Sequence, residues 1–284
     1  MKFKKIFAAF LSVLVVGAAV PANGCSLPET GFSAVAADEA HSGTCAYGLT
    51  WEYDGNGTLV ISGSGEMGDF ITSSQSPWYS FQSDINRIII QTGVTRIGSH
   101  AFQYCYNLTD ITIPDSVTTI EPYAFENCKS ITNITIPNSV TTIGQYAFAF
   151  CTNLADISIP DSVTTIGLGA FSNCTSLTDI TIPDSVTTIG ISTFSNCTSL
   201  TSITIPNSVT TIEMDAFGNC TNLTSITVPD SVTTIESGAF SNCANLTSIT
   251  IPDSVKTIES GAFSSCTNLT SITIPDSVKT IESN

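Results

Sequence analysis

Residues Gly238–Glu259 read GAFSNCANLTSITIPDSVKTIE, and after one serine, residues Gly261–Glu282 read GAFSSCTNLTSITIPDSVKTIE. The two strings share a length and nearly every letter. Working back along the chain, the same wording returns without insertion or deletion. Cys105, Cys128, Cys151, Cys174, Cys197, Cys220, Cys243 and Cys266 stand 23 residues apart, and a phenylalanine column runs beside them from Phe102 to Phe263. Units begin at Ile85, Leu108, Ile131, Leu154, Leu177, Leu200, Leu223 and Leu246, and a partial ninth begins at Leu269. Strict self-similarity at a period of 20–50 residues marks a solenoid.

One unit shows how the chain turns. Leu223, Ile226 and Val228 alternate with polar residues as a short strand does. Pro229-Asp230-Ser231 breaks it, because proline cannot extend a ladder and aspartate after it favours a turn. Val232 and Ile235 flank Thr233-Thr234, a second extended segment. Ala239, Phe240 and Cys243 then fit one face of a single helical turn. No unit can bury its apolar side chains alone. Stacking coils at about 4.8 Å places like on like, so a core residue must recur at a fixed interval.

The string L-x-x-I-x-I-P-x-S-V-T-x-I-x-x-x-A-F-x-x-C resembles the BspA-like bacterial leucine-rich repeat, a short 23-residue variant, over residues 85–284. The expected fold is an α/β solenoid, mostly β: a right-handed leucine-rich repeat with short parallel strands, one helical turn per coil and an N-terminal β-hairpin cap. The resemblance implies a secreted or surface-exposed protein, since some members of that family are adhesins that bind host proteins.

The segment before the repeats divides in two. Lys2, Lys4 and Lys5 precede an apolar run from Ile6 to Val20, the layout of a signal peptide and too short for a spanning helix. Ala34-Val35-Ala36-Ala37 supplies small residues for a cut near Ala37, giving 1–37 as leader, with no transmembrane segment in the mature chain. Ala22-Asn23-Gly24-Cys25 departs from a lipoprotein site at Ala22 and Asn23, and Leu27-Pro28-Glu29-Thr30-Gly31 lacks the apolar tail that a sortase signal needs. Residues 38–84 are the expected cap. Leu49–Tyr53 and Thr58–Ser62 flank Asp54-Gly55-Asn56-Gly57 as a hairpin, and Trp51, Trp78 and Phe81 are placed to cover Ile88 and Phe102. At the other end the sequence stops 16 residues into a unit, so further chain or a partner is expected over the layer of Leu269, Ile272 and Ile274.

The chain carries 8 Lys+Arg against 24 Asp+Glu; without residues 1–37, 5 basic and 23 acidic side chains remain. Such a surface repels phosphate backbones and anionic lipid, so no nucleic acid or membrane-surface partner is expected. His41 and His100 are the only histidines, and no Ser/His/Asp, Cys/His or phosphate-loop arrangement occurs, which argues against an enzyme and against a cofactor. Cysteine reads as a small buried filler rather than a disulfide or zinc framework, because ladder side chains point the same way and the period offers no close Cys/His pair.

Three surface features remain. The aspartates after the repeat prolines (Asp115, Asp161, Asp184, Asp230, Asp253, Asp276) suit either turn formation or a calcium ladder. The outward strand positions, Asp110/Thr112, Asn133/Thr135, Asp156/Ser158 and Asp179/Thr181 followed by Ser/Thr pairs, form a flat polar face open to a protein ligand or to ice. Most asymmetric is the helical-turn segment. There His100/Tyr104, Tyr123/Asn127 and Tyr146/Phe150, joined by Tyr106, stand where later units have Gly238/Asn242 or Gly261/Ser265. Rings four apart would make one face, either a binding patch or a seat for residues 38–84. The function expected is non-catalytic binding of an unknown extracellular protein or cell-surface ligand by a secreted or surface-bound monomer. The alternatives are a structural spacer carrying other modules and an ice- or calcium-binding solenoid.

Overall fold

The computed structural model describes residues 40–282. The leader expected over 1–37 lies outside them. A meander comes first: β1 (His41–Ala46), β2 (Leu49–Tyr53) and β3 (Thr58–Gly63) pair antiparallel in sequence, followed by the short β4 (Gly65–Glu66). Strands β2 and β3 are the hairpin expected from their alternation. In its turn the Asp54 carboxylate accepts from the Asn56 and Thr58 amides at 2.8 and 2.9 Å. The first coil supplies β5 (Arg87–Ile90) and β6 (Val94–Ile97), and the second supplies β7 (Asp110–Thr112) and β8 (Thr119–Ile120). Strand β3 pairs parallel with β5, and β5 with β7, while β4 and β6 begin a second sheet with β8.

Later coils repeat this plan with breaks: the first sheet is interrupted between Asp110–Thr112 and Asn133–Thr135, and Thr181, Thr204 and Thr227 are joined by isolated bridges. Asn133–Thr135 pairs with Asp156–Ser158, Thr142↔Thr165 follows Thr142↔Thr119, and every matched pair is 23 residues apart. The two-residue strands of the second sheet continue to Thr280–Ile281 with one gap. No pairing joins Thr165–Ile166 to Thr188–Ile189, whereas Gly144 and Gly167 donate their amides to Ile120 and Ile143 at 2.8 and 2.9 Å.

The interior is one cross-section carried through the molecule. Phe102, Phe125, Phe148, Phe171, Phe194, Phe217 and Phe240 are fully buried and stacked, with ring centroids 5.4–5.7 Å apart. At the N-terminal end Trp78 stacks on Phe102 at 5.4 Å and donates its indole N–H to the Ala101 carbonyl at 2.7 Å. Trp51, Tyr53, Phe70 and Phe81 pack around it. Arg96 ties this segment to the coils. Its guanidinium holds both oxygens of Asp69 at 2.7–2.8 Å and, through Nε, Glu121 at 2.7 Å. Burial pushes the Asp69 carboxyl up, but the bonds from Arg96 and from the Ser99 amide outweigh it and leave the group below its ordinary range.

Two polar columns, one of buried thiols and one of half-buried serines, hold coil to coil. The thiols from Cys128 to Cys266 each donate to the carbonyl of the phenylalanine 26 residues earlier, at 3.1–3.3 Å. The repeat serine does the same for valine: Ser116, Ser139 and Ser208 donate to Val94, Val117 and Val186 at 2.6–2.7 Å. Cysteine is therefore more than a filler, because a buried carbonyl gains a second donor from it. All cysteines from Cys45 to Cys266 are free thiols.

The expected helical turn is corrected by the structure. Among the described residues the only helical pieces are two 3₁₀ turns, Ser73–Gln75 and Tyr79–Phe81. Residues 98–105 instead form three successive tight turns. Ala101, Gln103 and Cys105 donate back to Gly98, His100 and Phe102, while His100, Phe102 and Tyr104 donate across to Pro122, Ala124 and Glu126 of the next coil. A helix would direct every amide along its own axis. Here alternate amides serve the neighbouring coil, which requires residues such as His100 and Tyr104 to be left-handed, at φ 56° and 63°.

Candidate binding face

The left-handed positions recur in two columns. The first holds His100, Tyr123, Tyr146, Gly169, Ser192, Asp215, Gly238 and Gly261; the second holds Tyr104, Asn127, Phe150, Asn173, Asn196, Asn219, Asn242 and Ser265. In every one of these residues φ is between 52° and 67°. Such geometry is natural for glycine and tolerated by asparagine and aspartate, but for a bulky side chain it costs on the order of 1–3 kcal/mol. The later coils place glycine, asparagine, aspartate or the small Ser192 and Ser265 there, whereas coils 1–3 place four tyrosine or phenylalanine rings and a histidine.

The rings of the two left-handed columns do not pair with each other within a coil, as rings on one helical face would. They stack along the solenoid axis: His100 on Tyr123 at 4.7 Å and 8°, and Tyr123 on Tyr146 at 5.3 Å and 26°. The row ends on Gly169, where a Cβ would lie 2.1 Å from the Tyr146 ring. The faces of Tyr123 are thus covered on both sides. In the second column Tyr104 leans on Tyr106, which in turn receives the Lys129 ammonium 5.2 Å from its ring centre. Tyr106 and Phe150 remain 41% and 39% exposed. Among the described residues, the ring contacts of residues 40–84 run inward, to Phe102 and to one another.

Between the two columns runs a third, Gln103, Glu126 and Ala149. Gln103 donates through Nε2 to Glu126 Oε2 and meets His100 Nδ1 at 2.9 Å through Oε1. Burial raises the phenol pKa of Tyr104, with the Glu126 charge as the next cause; burial also raises that of Tyr146, followed by Tyr123 and then Glu126.

The strand-face residues Asp110, Thr112, Asp156 and Asp179 are all exposed. Asp110 pairs with Arg87 at 3.0 Å, a surface contact of little energetic weight. The structure stacks His100, Tyr123 and Tyr146 in one row and pairs Tyr104 with Tyr106, while Phe150 lies further along the second column with no ring contact among the described residues. Among the described residues no group of three or more His, Cys, Asp or Glu is placed to hold a metal ion, and no helix is long and apolar enough to cross a membrane.

Comparison with known proteins bears on the fold. A family model, the BspA type leucine rich repeat region, matches residues 75–201 and 187–284 in 6 copies. A leucine-rich repeat protein from Bacteroides ovatus superposes with a TM-score of 0.72 at 28% identity, over 87% of this chain and 66% of its own, so the chain spans just under two thirds of that protein. One from Eubacterium ventriosum gives 0.49 at 22% identity over 86% and 93%, and a leucine rich cell surface protein from Faecalibacterium prausnitzii gives 0.33 at 24% over 83% and 93%. Those two superpositions carry no argument. No curated protein matches the sequence. The match of the family model across the whole solenoid, on a structure whose coils repeat every 23 residues, places the chain in the family of BspA-type leucine-rich repeat proteins.

Proposed function

We propose that the protein is a non-catalytic binding module, exported by a cleavable leader ending near Ala37, that docks a protein ligand outside the cell. The face it uses is built by His100, Tyr104, Tyr106, Tyr123, Tyr146 and Phe150. One observation carries the reading: rings occupy left-handed backbone positions in coils 1–3, at sites where the same chain elsewhere uses glycine, asparagine, serine or aspartate. Backbone strain kept where relief is one substitution away points to a role other than folding. Exposed tyrosine edges and hydroxyls also suit protein recognition, because they offer large area with few rotatable bonds. Residues 38–84 act in this account as the cap, with Trp78 closing the phenylalanine column.

Replacing Tyr104, Tyr123 and Tyr146 together by Asn tests it. Two half-buried ring stacks and the tilted Tyr104–Tyr106 pair are lost, each worth about 0.5–1.5 kcal/mol. Left-handed strain of about 1–2 kcal/mol is relieved at three sites. The variant should therefore melt no lower than the parent while adhesion to immobilised matrix proteins and cell surfaces drops at least tenfold. Unchanged adhesion by a folded variant removes the patch from consideration.

A further inference from the structure

The second left-handed column alternates in size. Tyr104 in coil 1 and Phe150 in coil 3 carry rings, and Asn127 in coil 2 is short. Rings in the neighbouring columns step by about 5 Å per coil, so a gap one coil wide separates Tyr104 from Phe150, with Asn127 at its base. Glu126 stands next to that gap. Its backbone carbonyl accepts from the Tyr104 amide at 2.9 Å, and its charge adds to burial in raising the Tyr104 phenol and, after burial and Tyr123, the Tyr146 phenol.

That carboxylate is half satisfied. Gln103 fixes Oε2, and Gln103 is itself fixed by His100. In the following coil the same column holds Ala149, which has no polar group to offer Oε1, and Oε1 is not one of the buried oxygens that lack a partner, so it is open to solvent. The nearby cations are engaged elsewhere: Lys129 over Tyr106, Arg87 with Asp110, and Arg96 with Asp69 and Glu121. A half-buried, rigidly held carboxylate between aromatic residues is the chemistry that receives a cationic side chain, through a charge-assisted bond and cation–π contact.

We propose that Glu126, with Tyr104 and Phe150 on either side of the Asn127 gap, receives one arginine or lysine side chain of a basic protein partner. This deepens the aromatic-face reading and rests on it. The acidic surface of the chain, with 24 Asp+Glu against 8 Lys+Arg, favours the same class of partner.

The test uses the full chain and a labelled Gly/Ser peptide carrying four arginines, beside the same peptide with citrulline, which keeps the shape and loses the charge. Fluorescence anisotropy at physiological salt should show the arginine peptide binding at least tenfold tighter than the citrulline peptide. Glu126→Gln and, separately, Phe150→Asn should each weaken it at least tenfold, while Asp253→Asn, an equal loss of charge on a distant turn, changes it less than twofold. Equal losses for Glu126→Gln and Asp253→Asn would show diffuse attraction and overturn the site, as would no preference for arginine. Adhesion separates the two claims. If it falls in the triple asparagine variant but survives Glu126→Gln, the cation site is wrong and the aromatic face stands; if it survives both, both are wrong.

Discussion

Raising the pH should unfold this protein through its own core. Burial is the first cause that lifts the thiols along the interior column, pushing Cys105, Cys151 and Cys197 up to about 12 and Cys128, Cys174, Cys220 and Cys243 well above their ordinary value. The unfolded chain releases those protons near pH 9 and the folded chain keeps them. Their contribution to stability is therefore complete below about pH 9 and is lost as pH climbs toward 12 and beyond. At pH 10 each buried thiol withholds a proton that the unfolded state has given up, a difference on the order of 1 kcal/mol. Over these seven thiols the losses add to several kcal/mol, a large part of the stability of a typical domain. Stepwise titration from pH 7 to 11 would follow backbone circular dichroism together with thiolate absorbance at 240 nm. The two signals should change together near pH 10, with no thiolate visible while the fold persists. Thiolate developing inside an intact fold, or a fold that survives pH 11, would refute the reasoning.

Two further outcomes follow from the same architecture. Phe171→Ala empties a fully buried ring site stacked on both sides, and should cost about 3–5 kcal/mol in urea denaturation. Phe263→Ala, at a partly buried site with one stacking neighbour, should cost less than half as much; equal costs would contradict the continuous column. The Gly144 and Gly167 amides, bonded to Ile120 and Ile143, should resist hydrogen exchange, whereas Gly190, at the gap in the second sheet, should exchange at least tenfold faster.

Much of the fold is legible in the sequence because a solenoid core is one cross-section repeated. The 23-residue interval of cysteine and phenylalanine fixes register directly, and proline marks where each first strand stops. The third side of the coil was misread for a physical reason. Ala239, Phe240 and Cys243 have helical spacing, but a chain of tight turns with alternate amides aimed at the next coil buries the same three residues. The signal that separates the two was present: glycine and asparagine recur at two slots four apart, such as Gly238 and Asn242, and both are residues of left-handed backbone. The expected face of rings four apart became a row stacked between coils for the same reason. The serine and cysteine bonds to inter-coil carbonyls were hidden, because a small polar residue in a tight slot reads equally well as turn former or filler. Strand β1 was missed, its alternation blurred by Ser42-Gly43-Thr44 and an irregular pairing at Thr44–Ala46. Glu126 carries no signal of its own in the sequence. Its place between Gln103 and Ala149 emerges only when the coils are laid on one another.

The central claim is that interchangeable coils stack in register around one dry interior. Removing the whole unit 177–199 should leave a cooperatively folding protein whose X-ray scattering shows the long dimension shortened by about 4.8 Å, one strand spacing. Removing only two residues from the same unit should lower the urea midpoint far more, because every ladder beyond the cut loses alignment. A protein that tolerates the two-residue cut and collapses on loss of the full unit would contradict the account.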